Sequence, residues 1–206
     1  MRFLSILSLV LAIVPSLHAQ TPAALRVDDV RFSQERSPYG GDNWLEMDVV
    51  VDVRGNPSPT APNREFLDDL YVDVALAHNL DTASKPRLEY FWTQAEFPTL
   101  ERGTAHLRFY LSPEQVKRGR MITNEPYAWY IRISYGESIE TGADRGNTVL
   151  AVSSALRDQA RLDRFLELLE DQKEDRAGIL LPQAETPFRD SYPETTPTIK
   201  GVPRSD

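Results

Sequence analysis

The stretch WLEMDVVVDV at residues 44–53 decides the fold class of this 206-residue chain. Its odd-numbered positions are all apolar, and Glu46, Asp48 and Asp52 alternate with them. The stretch LYVDVALA at residues 70–77 shows the same alternation. Because successive side chains of a strand point to opposite faces, a period of two residues predicts a β-strand with one buried and one solvated face.

Further stretches alternate in the same way or are rich in β-branched and aromatic residues. They span residues 25–32, 88–93, 104–111, 127–135 and 148–152. A proline-rich connection at 55–63 is expected to leave one sheet and enter another element. Together these strands predict a mainly β fold over residues 20–152, an immunoglobulin-like sandwich of two antiparallel sheets.

The pattern changes to a helical period after the last predicted strand. Residues 153–172 predict one amphipathic helix with Ser153 or Ser154 as its N-cap. Its apolar stripe consists of Leu156, Ala160, Phe165, Leu166 and Leu169. This helix either packs on its own sandwich or acts as a docking helix for another protein through Leu156, Phe165, Leu166 and Leu169.

The last segment of the chain, residues 173–206, has no hydrophobic period and is rich in proline and acidic residues. Such a composition buries too little apolar surface to offset the entropy of ordering. We therefore predict a disordered acidic tail. Residues 179–182 form its one apolar island, a candidate docking peptide.

The first residues have the features of a secretory signal peptide. Arg2 precedes an apolar run of 12 residues at 3–14, and Ala19 supplies the small residue for cleavage before Gln20. The run is shorter than the ~20 residues that a membrane-spanning helix needs. We expect residues 1–19 to be removed, no transmembrane anchor, and a protein of the periplasm or the cell exterior.

Composition argues against several classes of function. The net charge of −8 makes nucleic acid an unfavourable partner, since phosphate binding relies on a basic surface. The chain has no cysteine, which excludes thiol nucleophiles and cysteine-ligated metals. His78 and His106 lack the spacing of a metal motif. We expect no catalytic residues, no cofactor and no metal site, and therefore no enzyme.

Carboxylates are the remaining candidates for chemistry. Glu46, Asp48, Asp52 and Asp73 lie on the polar sides of two strands taken as possible neighbours. Arg108 and Arg132 lie on the polar sides of other strands, so cross-strand ion pairs explain the set best. A hydrolase that uses Asp48 and Asp73 as a facing acid pair is the alternative.

Aromatic residues are the main candidates for binding. Neighbouring rings in a strand point to opposite faces, so some of them either reach solvent or pack beneath the C-terminal helix. Exposed rings anchor protein partners or stack on sugars, which makes a carbohydrate-binding module the alternative function. The candidate contact residues for a partner or glycan are Tyr39, Trp44, Tyr90, Trp92 and Tyr130.

Three segments carry a family resemblance: WLEMDV at 44–49, REFLDDLYV at 64–72 and LSPE at 111–114. With the strand pattern and the charged helix, residues 25–172 resemble small periplasmic immunoglobulin-like proteins that are encoded beside type IV pilus assembly genes in some Gram-negative bacteria. The resemblance implies a non-enzymatic accessory role, with envelope or pilus assembly proteins as partners. It brings no catalytic residues to this chain.

Overall fold

A computed structural model describes residues 23–79, 87–119, 125–136, 147–173 and 178–199. The predicted signal peptide at 1–19 and the cleavage before Gln20 lie outside the described residues. The described chain has eight strands and two helices. The strands are β1 (Leu25–Arg36), β2 (Asn43–Val53), β3 (Phe66–Asn79), β4 (Leu88–Glu101), β5 (Gly103–Leu111), β6 (Ala128–Tyr135), β7 (Asn147–Val152) and β8 (Leu180–Pro182). The helices are α1 (Pro113–Arg118) and α2 (Gln159–Gln172).

The strands form two antiparallel sheets of four, which confirms the predicted sandwich architecture. Sheet A has the order β1-β2-β5-β8 and sheet B the order β4-β3-β6-β7. The connection at 55–63 carries the chain from β2 in sheet A to β3 in sheet B, as predicted. All seven predicted strands are present, and β8 is an additional one that the sequence did not predict.

The core lies between the two sheets and follows the alternation read from the sequence. Sheet A contributes Leu45, Met47, Val49, Val51 and Val53 of β2, and sheet B contributes Leu70, Val72, Val74 and Leu76 of β3. Each fully buried aliphatic side chain of this size contributes about 1.5–3 kcal/mol to folding. The apolar residues whose alternation predicts the strands therefore also hold the two sheets together.

Helix α2 covers the outer face of sheet B at one end. Its buried residues Leu162, Phe165 and Leu169 form a second cluster with outward-facing side chains of the sheet. The rings of Phe165 and Tyr90 lie 5.4 Å apart between centroids. The helix thus packs on its own sandwich, one of the two predicted arrangements.

The predicted start of this helix was wrong. Residues Ser154–Leu156 form a 3-10 turn, and α2 is capped by Asp158, whose carboxylate accepts a hydrogen bond from the Arg161 N–H at 3.1 Å. The Ser153 hydroxyl instead accepts from the Trp129 N–H at 3.2 Å. The apolar stripe also differs from the predicted one, because Ala160 is exposed and Leu162, which was not predicted to belong to it, is buried.

The prediction of a disordered tail was wrong for residues 178–199, which we call the C-terminal strap. Its strand β8 pairs with β5, and Leu180 is buried in the main core. Its remaining residues pass over the outer face of sheet A. The strap has no hydrophobic period because most of it follows turns, and its two rings contact separate side chains of sheet A. Of the rest of the predicted tail, residues 174–177 and 200–206 lie outside the described residues.

In the part of the chain that the structure describes, no helix has both the length and the apolar character needed to cross a membrane.

Candidate functional site

The outer face of sheet A carries a row of polar side chains that belong to neighbouring strands. The β2–β5 register places Glu46 opposite Tyr110 and Asp48 opposite Arg108. Side chains on one face of such a pair lie close enough to interact directly. Glu46, Asp48 and Arg108 are each more than nine-tenths buried. Charges buried to this degree need partners, because an unpaired buried charge is strongly destabilising.

The hydrogen bonds of this row satisfy most of that requirement. The Tyr110 hydroxyl donates to Glu46 Oε2 at 2.5 Å, and His106 Nδ1 lies 2.8 Å from Asp48 Oδ2. Arg108 Nε lies 3.9 Å from a carboxylate oxygen of Glu46 and, at the same distance, from one of Asp48. The predicted cross-strand ion pairing is confirmed for this part of the carboxylate set.

Burial also changes the acidity of the two groups at the centre of the row. Loss of solvation raises the pKa of Glu46, and the hydrogen bond from Tyr110 and the charge of Arg108 oppose this shift without cancelling it. Burial, together with donation to Glu46, raises the pKa of the Tyr110 hydroxyl, so this group keeps its proton. The two side chains therefore form a stable donor–acceptor pair beneath the strap.

The strap covers this row through aromatic contacts. The Phe188 ring stacks on Tyr110 with 4.6 Å between centroids and an interplanar angle of 7°, and it meets Trp44 edge-on at 5.9 Å. Four residues later, the Tyr192 ring lies 4.4 Å from the Arg108 guanidinium carbon. We call the surface formed by Trp44, Glu46, Arg108 and Tyr110 the strap groove.

Polar contacts fix the remainder of the strap against the edge of sheet A. The His106 backbone N–H donates to the Thr195 carbonyl at 3.1 Å, and Arg108 Nη1 donates to the Thr196 hydroxyl at 2.6 Å. The buried Gln183 amide braces the strap internally by donating to the carbonyls of Phe188 and Ser191. Sheet A therefore holds the strap, a three-residue strand followed by turns, through backbone pairing, ring stacking and charge-assisted hydrogen bonds.

Three of the predicted contact residues lie on the opposite sheet and are covered by α2. Tyr90 is only 3% exposed, and Trp92 and Tyr130 are half-buried in the same cluster. The Lys173 ammonium lies 4.7 Å from the Trp92 ring centre and covers it further. These rings thus pack beneath the helix, as the alternative interpretation of the sequence held.

The other two predicted contact residues differ in how far they are exposed to solvent. Trp44 is half-buried in the strap groove, whereas Tyr39 is 82% exposed at the turn between β1 and β2. A flat carbohydrate-binding strip made of Tyr39, Tyr90 and Trp92 is not formed, because Tyr90 is enclosed under α2.

The predicted docking helix presents its apolar side to its own domain. Leu156, Phe165 and Leu169 are buried and Leu166 is half-buried, all in the cluster on sheet B. In this structure these side chains are occupied by intramolecular packing.

The facing acid pair of the alternative hydrolase is not formed. Asp48 belongs to β2 in sheet A and Asp73 to β3 in sheet B, so the two strands are not neighbours. Asp73 instead pairs with Arg132 of β6, whose Nη2 lies 2.7 Å from its carboxylate. The assumption that the two strands are adjacent was wrong, because the connection at 55–63 crosses between sheets.

Two further features complete the survey of the described residues. No group of three or more histidine, cysteine or acidic side chains is placed there to hold a metal ion. A cleft of about 560 Å³ lies at one end of the sandwich, between the proline-rich connection and β3. Pro57, Pro62, Asp68 and Tyr135 are among its lining residues.

Sequence reasoning missed the strap residues that complete the site. Phe188 and Tyr192 are isolated rings in a proline-rich segment, and neither stands in a period. His106, Arg108 and Tyr110 on the outer face of β5 are compatible with a solvated face, so the sequence offered no signal that a cover lies over them.

Comparison with known proteins supports the fold. The chain is similar to a protein of Akkermansia muciniphila whose crystal structure has been determined, with a TM-score of 0.58 and 17% sequence identity. The match covers 86% of this chain and 93% of that chain. At this identity the likeness is one of fold. No protein-family model matches the sequence, and no curated protein matches it.

Proposed function

We propose that this protein is a non-enzymatic protein–protein interaction module of the bacterial cell envelope. The observation that carries the proposal is the strap groove, in which sheet A binds a protein segment that begins as the three-residue strand β8 and continues through turns. Strand addition at a sheet edge combined with side-chain anchors is a recurring mode of peptide recognition. The groove is built for polypeptide, since it pairs with the backbone as well as with two rings.

The strand order supports an immunoglobulin-like assignment of the sandwich. The first, second and fifth strands share sheet A, and the third, sixth and seventh share sheet B. The A, B and E strands of the immunoglobulin fold share one sheet in the same way, and C, F and G share the other. This topology, with the resemblance of residues 25–172, is the basis for proposing an accessory role in type IV pilus assembly.

The proposed location is the periplasm or the cell exterior. The apolar run at 3–14 and the small residue Ala19 support secretion through a cleaved signal peptide. The proposed partners are envelope or pilus assembly proteins.

A non-enzymatic role is consistent with how the titratable groups of sheet A are used. Glu46, Asp48 and Arg108 are enclosed under the strap and bound to one another or to their neighbours. A substrate would have to displace the strap to reach them.

An affinity experiment tests the proposed function. The secreted chain is immobilised, exposed to an envelope extract of the bacterium of origin, and the retained proteins are identified by mass spectrometry. We expect enrichment of pilus assembly or secretin proteins. The Leu150→Ala variant, at an exposed position of β7 on sheet B, serves as a surface control that leaves the strap groove intact. Retention of nothing, or of material that free sugar releases, would contradict the proposal and favour carbohydrate binding.

A further inference from the structure

The strap and α2 are attached to opposite faces of the sandwich. Helix α2 packs on the outer face of sheet B, whereas the strap pairs with β5 at the edge of sheet A, and its strand β8 also contacts β4, the edge strand of sheet B. Helix α2 covers the Tyr90 side of sheet B, whereas Phe188 covers Tyr110 on sheet A. The strap can therefore leave its groove without unpacking the helix that precedes it.

The strap is held mainly by contacts outside the main core. Among its residues, Leu180 is buried in that core, and Ile179 and Ile199 pack at its margin. The two ring anchors, Phe188 and Tyr192, lie on the outer face of the sheet. The strand it adds to sheet A has three residues, compared with nine in β5. Substitution of a ring anchor thus weakens the strap and spares the sandwich.

We propose that the strap groove also binds the C-terminal strap of a second copy of this chain, so that copies associate by exchanging their straps. The proposal rests on the function proposed above and names the partner. The strap and the groove are complementary, since Phe188 fits against Trp44 and Tyr110, and Tyr192 fits over Arg108. Every copy of the chain carries this matching segment together with the groove that receives it.

The strap bound in its own chain competes with an incoming strap. A site that is open in only a fraction of molecules binds with an apparent affinity reduced by that fraction. Weakening the internal strap without altering the groove therefore increases the affinity for a strap supplied from outside. This dependence distinguishes exchange from nonspecific adhesion, which the internal strap does not control.

The test uses the full chain and a fluorescent peptide of residues 178–199. The Phe188→Ala chain has an intact groove and a weakened strap of its own. We expect it to bind the peptide at least about ten-fold more tightly than the wild-type chain, as measured by fluorescence anisotropy. Binding is expected to be lost when the peptide itself carries Phe188→Ala. The Tyr39→Ala chain, which also lacks one ring, is expected to behave like wild type.

Three results would overturn the proposal. The first is no saturable binding to a Phe188→Ala chain that circular dichroism shows to be folded. The second is equal binding of a peptide with the same composition in scrambled order. The third is that the peptide binds but the chains do not dimerise. Sedimentation of an equimolar mixture of wild-type and Phe188→Ala chains at high concentration would then show monomers alone. Tyr192→Ala provides a second weakened strap if Phe188→Ala does not fold.

The outcome is separable from that of the proposed function. The peptide and sedimentation measurements need only the purified chain, whereas the envelope experiment needs other proteins. Capture of pilus assembly proteins by a chain that fails to bind the peptide would overturn strap exchange alone. Peptide binding and dimer formation without such capture would support exchange and contradict the role in pilus assembly.

Discussion

Glu46 is a carboxylate that the fold buries although it has only partial compensation. Its pKa is raised, chiefly by desolvation, so the folded protein holds the Glu46 proton more tightly than the unfolded chain does. A group with a raised folded pKa contributes stability below its unfolded pKa, and that contribution is lost as the pH rises through the folded pKa. Relative to a side chain that stays neutral, Glu46 therefore costs no stability at acidic pH and destabilises the fold increasingly as the pH rises through its folded pKa.

The variant Glu46→Gln tests this sign. Glutamine keeps an acceptor for the Tyr110 hydroxyl and carries no charge to desolvate. We expect the variant to gain stability relative to wild type as the pH is raised from about 4.5 to 7, a range that starts near the unfolded pKa of glutamate. Urea unfolding across that range measures it. A relative loss of stability with rising pH would contradict the account, and Glu114→Gln on exposed α1 is the control.

Gly55 occupies a backbone position that other residues fit poorly. Its φ is +103°, and a Cβ there would lie 2.4 Å from the Arg64 carbonyl oxygen. We expect Gly55→Ala to lower the free energy of unfolding by at least about 2 kcal/mol, from the combined cost of a left-handed backbone and overpacking. Gly40→Ala, with φ of +84° and open space around it, isolates the backbone cost at about 1 kcal/mol. Equal effects in thermal unfolding would argue against the close approach.

At the scale of the element, the strands were predictable from the sequence, whereas the placement of the two elements that cover the sheets, α2 and the strap, was not. The alternation in β2 and β3 follows from burial of one face against a second sheet, and it is visible in the sequence alone. The strap has no such period, because Phe188 and Tyr192 each bind a separate partner on sheet A. The sequence showed that the strands of sheet B carry aromatic residues. It did not show which face of the sheet the helix covers, because that depends on tertiary packing.

The start of α2 is a case where three nearby residues could serve as the N-cap. Ser153, Ser154 and Asp158 all precede helical sequence, and the structure uses the carboxylate of Asp158. We expect Asp158→Ala to lower the free energy of unfolding by about 1 kcal/mol, the usual cost of losing an N-cap. Ser154→Ala, at one of the two caps predicted from sequence, is expected to have little effect. Chemical denaturation of the two variants compares them, and the reverse order would restore the predicted helix start.

At the scale of the whole molecule, two C-terminal elements cover the outer faces of the sandwich. Helix α2 encloses the aromatic residues of sheet B, and the strap encloses the buried charges of sheet A. Sequence analysis placed the site on exposed rings and on the helix. In the structure most of those residues are covered, and the groove beneath the strap is the candidate site. The covers belong to opposite sheets, so they are expected to open independently.

The measurement that tests the central claim most directly is hydrogen–deuterium exchange on the full chain. The account predicts that residues 178–199 are protected in wild type. It also predicts that Phe188→Ala speeds exchange there and at the His106 amide, which donates to the strap, while α2 is unchanged. Exchange of the wild-type strap at the rate of an unfolded peptide would contradict the claim that it occupies sheet A. Equal loosening of α2 would contradict the independence of the two covers.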